Sequence, residues 1–530
     1  MHPLSPSGSP TELLEAPVLA VTPHDQITIR DILNNISILG QPGSGKTTAA
    51  SHLAKGLLLS GAGILVFCAK SDERALWENY CRETKRMSSL IVFDGKNHRY
   101  NFIAGELARH GVDGINIIIE CFMQVIDAAR SLAGAVNKGD VFWDDIIRLL
   151  LRYSLIVIYL ATGTITIPSI IAFIRSAPRT AEERTDPEWK ETSFFFRCFD
   201  AVRETIDQDL LRETLSFWVG QWMTLDPKTK TSAEITLTTA LDRFNHGWLR
   251  EAFATDSTMA VELLTLGAVI VLDLPANTHF EDGLVAQRLM KFISQRMILS
   301  RKSFGPLYAS RPVIFWIDEA HLFVDPQSDA RFMALSRSEL CGTVLIAQSL
   351  PSYYAVSGEG ARDRVEQMLG NCATRVWHST SCPITAKNAA ETLGQTLHRR
   401  ATYSQGSGSS TNTGTTTGLG MSWGTTESNG TSSSMSTGQS ASSSFGYNAS
   451  SGSSDGGNRN RGRSSGWSES SNTSHGWSEQ LGYIWEPADF GRLLLTGGPA
   501  SQNIVSAVWY QSGRRFAASG GPAILAEFRQ

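Results

Sequence analysis

Gly40-Gln41-Pro42-Gly43-Ser44-Gly45-Lys46-Thr47 follows the apolar run Ile36 to Leu39 and leads into a helical pattern from Thr48 to Leu59. The octet fits the P-loop pattern GxxxxGK[ST] at every fixed position, and it lies between a strand and a helix, the setting that gives the pattern its meaning. Glycines let backbone N–H groups fold around phosphate oxygens, and the N-terminus of the following helix adds a favourable dipole. On this reading Gly40, Gln41, Pro42, Gly43, Ser44, Gly45, Lys46, Thr47 and Thr48 cradle a nucleotide. Lys46 reaches its β- and γ-phosphates, Thr47 ligates Mg²⁺, and the expected ligands are ATP and Mg²⁺.

Outward from the loop, Gly61 and Gly63 punctuate a second strand, Ile64 to Cys68. A helix-like stretch holding Trp77 and Tyr80 then leads to a third strand, Leu90 to Phe93. Strand, helix and strand at this spacing predict an α/β fold with a parallel sheet covered by helices. From about Glu106 to Leu249 the apolar residues take helical spacing, which predicts an all-helical insertion. Continuous apolar runs return at Ala268 to Leu272, Val313 to Ile317 and Val344 to Ala347, as expected of strands buried on both faces. Ile504 to Tyr510 reads as a last strand.

Between Ser404 and Trp477 lies a Gly-, Ser-, Thr- and Asn-rich tract with six charged residues. It is so poor in large apolar groups that disorder is the expectation. The predicted layout is a flexible N-terminus at 1–25, motor-domain segments at 26–105 and 256–403, an all-α domain at 106–255, the tract at 404–480, and closing strands at 481–530.

A P-loop needs a metal-holding acid at the end of another core strand, and Val313 to Ile317 runs directly into Asp318-Glu319. Asp318 is the candidate holder of Mg²⁺, and Glu319 the candidate that polarises the attacking water. An acid pair after a strand also suits the start of a helix; the P-loop in the same chain favours the metal reading. Gln348 ends the next strand, where a polar side chain can touch the γ-phosphate, although position alone fits a surface glutamine equally well. Arg337, in the helix-to-strand connection before it, reads on its own as a solvated charge.

Composition narrows the class without naming it. The chain has 530 residues, 42% hydrophobic and 18% charged, with a net charge of −4. It is long enough for two folded domains, and no global basic excess advertises nucleic acid, so any DNA contact must come from a local surface such as a pore. The seven cysteines (68, 81, 121, 198, 341, 372 and 382) form no CxxC pair, which suggests reduced, buried thiols and a cytoplasmic setting. The longest membrane candidate, Leu155 to Ala161, is far short of a spanning helix, so no integral membrane segment is expected.

Several blocks together resemble the TraG/TraD type of conjugative coupling protein, within the FtsK and HerA superfamily. They are the P-loop with Val66 to Glu73 and Ile91 to Asp94, Tyr100-Asn101-Phe102-Ile103, Phe142-Trp143-Asp144-Asp145 leading into Leu149 to Leu160, Asp318-Glu319, Ala347-Gln348-Ser349, and Asn371 with Thr385 to Gly394. The resemblance implies a RecA-like motor, a membrane-distal all-helical domain and a homohexameric ring with DNA in a central channel. It also implies that Arg337, eleven residues before Gln348, is a finger reaching into a neighbouring subunit. Relaxase or secretion-channel proteins are the implied partners, at the cytoplasmic face of the inner membrane. The chain departs from the family in lacking the usual leading transmembrane helices and in carrying the Ser/Gly tract. A different class of function, an ATP-dependent switch or receptor for protein partners that moves no DNA, fits the same site residues.

Overall fold

The computed structural model describes residues 13–132, 141–204, 206–357, 360–418, 433–436, 440–451 and 460–530. The chain divides into two units, one running to Ala389 and resuming over Pro487–Gln530, the other Ala390–Glu486.

In the first unit a short antiparallel pair, β1 (Pro17–Ala20) and β2 (Gln26–Thr28), precedes the main sheet. That sheet collects β3 (Ile36–Leu39), β4 (Gly63–Phe67), β5 (Leu90–Phe93), β6 (Val269–Leu272), β7 (Val313–Ile317), β8 (Cys341–Ala347) and β9 (Thr374–Trp377). In the second unit follow β10 (Gln395–Gly418), β11 (Ser433–Ser436), β12 (Ser440–Ser451) and β13 (Asn460–Tyr483). The chain then returns to the main sheet with β14 (Ile504–Gln511) and β15 (Ala523–Arg529).

The nine-stranded sheet has the order β15-β14-β9-β3-β8-β7-β4-β6-β5. Every neighbouring pair from β9 to β5 is parallel, whereas β14 runs antiparallel to both β9 and β15. All residues of β3, β4, β6, β7 and β8 are buried, which is why their sequences read as near-continuous apolar runs, broken by Ser37 in β3 and Thr343 in β8, and do not alternate. β8 begins at Cys341, three residues earlier than the apolar run from Val344 suggests.

The P-loop helix (Lys46–Leu59) buries Ala49, Ala50, Leu53, Ala54, Leu57 and Leu58 against the sheet, a stripe at the three- and four-residue spacing of a helix face. Gly56 lies inside that helix because a Cβ there would sit 1.8 Å from the Val18 carbonyl oxygen of β1.

Between β5 and β6 the described residues are helical, from Phe102–His110 through Gly247–Phe253. Their core is aromatic. The Phe195 ring lies 4.8 Å from Phe173 and 5.1 Å from Trp218, and Trp218 lies 5.8 Å from Trp222 on a π-helical turn, Ser216–Trp222. Among the described residues no single helix is long and apolar enough to cross a membrane. In Val141–Thr162, which holds the apolar run at Leu155, the residues Leu150, Leu151, Leu155, Val157 and Ile158 are buried in the protein. Six cysteines are buried and Cys382 is partly buried; all seven are unpaired.

The second unit holds the described parts of the Gly-, Ser-, Thr- and Asn-rich tract. Its described residues form a four-stranded antiparallel sheet, β10-β13-β12-β11, in which β10 and β13 pair continuously from Gln395↔Tyr483 to Gly418↔Asn460. The ribbon also starts before Ser404 and runs past Trp477. A main-chain ladder pairs N–H with C=O whatever the side chains are, so scarcity of apolar residues does not exclude it. The parts of the tract at 419–432, 437–439 and 452–459 lie outside the described residues, as do residues 1–12 of the expected flexible N-terminus.

Candidate functional site

Parallel pairing sets the site by register. Leu39 of β3 lies opposite Ala347 of β8 and Trp377 of β9, and Ile317 of β7 lies opposite Leu345 of β8 and Phe67 of β4. The residues just beyond these ends, Gly40, Gln348, Asp318 and the turn from Cys68 to Glu73, therefore emerge at one edge of the sheet, where ligands bind in open α/β folds. They surround a cavity of about 280 Å³ lined by Pro42, Lys46, Thr47, Asp318, Glu319 and Gln348.

The loop is built by glycine. Gly43 and Gly45 take φ of +74° and +84°, and Gly45 begins the helix as its N-cap. A Cβ on Gly45 would also meet Val505 of β14 at 2.3 Å, so the last antiparallel strands press against the loop. Lys46 Nζ donates to the carbonyl oxygens of Gly40 and, at 3.0 Å, Gln41. Burial lowers the Lys46 pKa, against the opposing pull of Glu319 and Asp318. Thr47 is exposed at the cavity, whereas the candidate Thr48 is only partly exposed and is absent from the cavity lining.

Across the cavity, burial raises the pKa of Asp318, whose Oδ1 accepts the Glu319 N–H at 2.8 Å. Glu319 stands in the left-handed region, φ 45° and ψ 47°, an uncommon place for a residue with a Cβ. Its Oε1 accepts from Lys70 Nζ at 2.9 Å, and Gln348 Nε2 lies 3.3 and 3.4 Å from its two oxygens. Burial works against the charged form, but the Lys70 bond and charge, with Gln348 and His321, hold Glu319 below its ordinary value. The site thus joins Lys46, Thr47, Asp318, Glu319 and Gln348. Arg337 is not among them: it is exposed on a 3-10 turn, Arg337–Glu339, and does not line the cavity.

Three residues received no role from the sequence, although Lys70 and Glu73 lie in the block Val66 to Glu73. Lys70 sits on Glu319. Glu73 is buried, with its pKa pushed up to about 8 by burial and then by the charge of Asp318. His378, at the end of β9, is buried behind the loop, and its Cβ would lie 2.6 Å from a Cβ on Gly40. Burial and Lys46 lower the His378 pKa to about 3, so the ring is neutral at physiological pH. The only sequence signal for these residues is their place one to six residues past the end of a core strand.

The donors present suit a magnesium nucleotide. Thr47 hydroxyl and Asp318 carboxylate are hard oxygens facing one cavity, opposite the ammonium of Lys46.

Comparison with known proteins agrees with this architecture. Residues 312–440 match the family model described as the TraM recognition site of TraD and TraG. Among solved structures, the bacterial conjugative coupling protein TrwBdeltaN70 in its unbound monoclinic form aligns with a TM-score of 0.52 at 13% identity, covering 98% of this chain and 92% of that one. Its trigonal form in complex with sulphate gives 0.51 at 13% identity, covering 97% and 89%. No match was found among curated protein sequences. The resemblance read from the sequence is thereby borne out: the chain carries the TraG/TraD match over residues 312–440 and the RecA-like P-loop fold of the coupling protein TrwB along nearly all its length.

Proposed function

We propose that this chain is an ATP-hydrolysing, DNA-translocating coupling protein of the TraG/TraD type, working as a homohexameric ring with DNA in a central channel. The observation that supports it most is the convergence of the P-loop, Asp318, Glu319 and Gln348 on one cavity at the parallel-strand edge. In this reading Gly40 to Thr48 hold the phosphates, with Lys46 on the β- and γ-groups. Thr47 and Asp318 hold Mg²⁺, which when bound neutralises charge on the transferring phosphate. Glu319 orients and polarises the attacking water, and Gln348, bonded to Glu319, senses the γ-phosphate.

Arg337, exposed at the surface, serves the neighbouring subunit's site as a finger. The helices within 106–255 form the membrane-distal domain, and the match of residues 312–440 to the TraM recognition site supports a TraM-like or relaxase partner at the inner membrane.

ATPase rate with and without single- and double-stranded DNA, together with particle mass, tests this reading. DNA-stimulated turnover by a hexamer is expected. DNA-insensitive turnover by a smaller species would contradict it and favour a switch acting on protein partners.

A further inference from the structure

The turn after β4 is more firmly built than a connection needs to be. Gln287, fully buried on the helix Ala276–Ser300, accepts the Cys68 N–H at 3.0 Å and donates to the carbonyl oxygens of Cys68 and Leu274, each at 2.9 Å. Glu73 Oε2 accepts the Ala69 N–H at 2.7 Å and the Lys70 N–H at 3.3 Å from inside the protein. Arg74 ties the same segment to Asp273 at 3.1 Å. A turn whose Cys68, Ala69 and Lys70 N–H groups are held by buried acceptors has little freedom. Out of this frame Lys70 and Glu73 line the cavity, and Lys70 spans 249 residues of sequence to place Nζ 2.9 Å from Glu319 Oε1.

We propose that Lys70 is a positioning residue for hydrolysis, holding the Glu319 carboxylate in register with Gln348 across the cavity, and that Glu73 and Gln287 fix the turn that presents it. The inference rests on the ATPase reading above. Its physical basis is the geometry of Glu319. Glu319, on a left-handed backbone, caps the short 3-10 turn Ala320–Leu322 without a side-chain cap hydrogen bond, and here two donors from two other strand ends hold its rotamer. A general base aimed wrongly by about 1 Å can cost on the order of 10²-fold in rate. Glu73 contributes through its shape, because an oxygen acceptor at its position serves the two N–H groups whether or not the group is charged.

Turnover of the full chain, with kcat and KM for ATP measured separately and nucleotide binding followed with a fluorescent ATP analogue, tests the proposal. Lys70→Ala is expected to lower kcat by about 10- to 100-fold with KM and binding little changed, and Lys70→Arg to recover most of the loss. Added to Glu319→Gln, Lys70→Ala is expected to cost nothing further, since it acts through that carboxylate. Glu73→Gln should stay near wild type while Glu73→Ala resembles Lys70→Ala.

The Lys70 side chain is 55% exposed, so Lys70→Ala should keep the wild-type melting temperature; if it does not, Lys70→Met supplies the same readout. A raised KM with unchanged kcat would assign Lys70 to phosphate binding and overturn the proposal, as would a further loss on top of Glu319→Gln. Inactive wild-type protein would sink the ATPase reading and this inference with it, whereas active wild type with unaffected Lys70 variants overturns the inference alone.

Discussion

The two sheets of this molecule are held together by opposite means. In the nine-stranded sheet, β3 and β8 bury every residue and their apolar side chains fill the space under the covering helices. In the four-stranded sheet, β10 and β13 pair over 24 residues each, through sequences dominated by Ser, Thr, Gly and Asn, so the main-chain ladder carries the order. A sheet packed on both faces fixes its strand ends, because a one-residue slip sends every side chain to the opposite face, against packing shaped for other side chains. A ladder of small polar residues does not impose that penalty. The candidate site accordingly lies at the ends of the first sheet.

The largest effects are expected at the strand ends of the nine-stranded sheet. Lys46→Ala should leave a folded chain that fails to turn over ATP, because the loop backbone survives while the charge on the transferring phosphate is lost. Wild-type turnover would refute the site. Glu319→Gln should bind ATP and stall, losing about 10²- to 10⁴-fold in rate; loss of nucleotide binding instead would make Glu319 a structural or metal-holding group.

An intermediate effect is expected in the core. Ile38 is 1% exposed, and Ile38→Ala should cost roughly 2–5 kcal/mol, read from the midpoint of chemical unfolding. The smallest effect is expected in the ribbon. Deleting residues 404–477 should spare basal ATPase activity, because every candidate site residue lies in the other unit. A collapse of activity on deletion would show that the ribbon supports the site.

How far the sequence could be read follows the same division. Apolar runs of four or more residues bounded by glycine or charge were legible, as at β3, β5 and β7, and so were the P-loop and the acid pair beyond β7. β9 was not, since Thr374-Arg375-Val376-Trp377 is short and carries a charge, and only pairing with β3 and β14 makes it a strand. For the tract after β10, composition reports only the cost of ordering a chain, and the strand pairing of its described residues has no sequence signal of its own. Lys70 escaped for a third reason. In the sequence it is an ordinary polar residue in a turn, and its partner Glu319 is joined to it only by the register of β4 on β7.

An ATP-hydrolysis site completed by a neighbouring copy would show itself when two inactive variants are mixed. Arg337→Ala should retain ATP binding yet lose about 10³- to 10⁵-fold in turnover, the range such fingers contribute, and Lys46→Ala should be inactive as well. In co-assembled mixtures some interfaces join an intact P-loop to an intact Arg337, and the account predicts that part of the activity returns. Mixtures shown to co-assemble but with no recovered turnover would contradict it, placing Arg337 within its own subunit or outside the site.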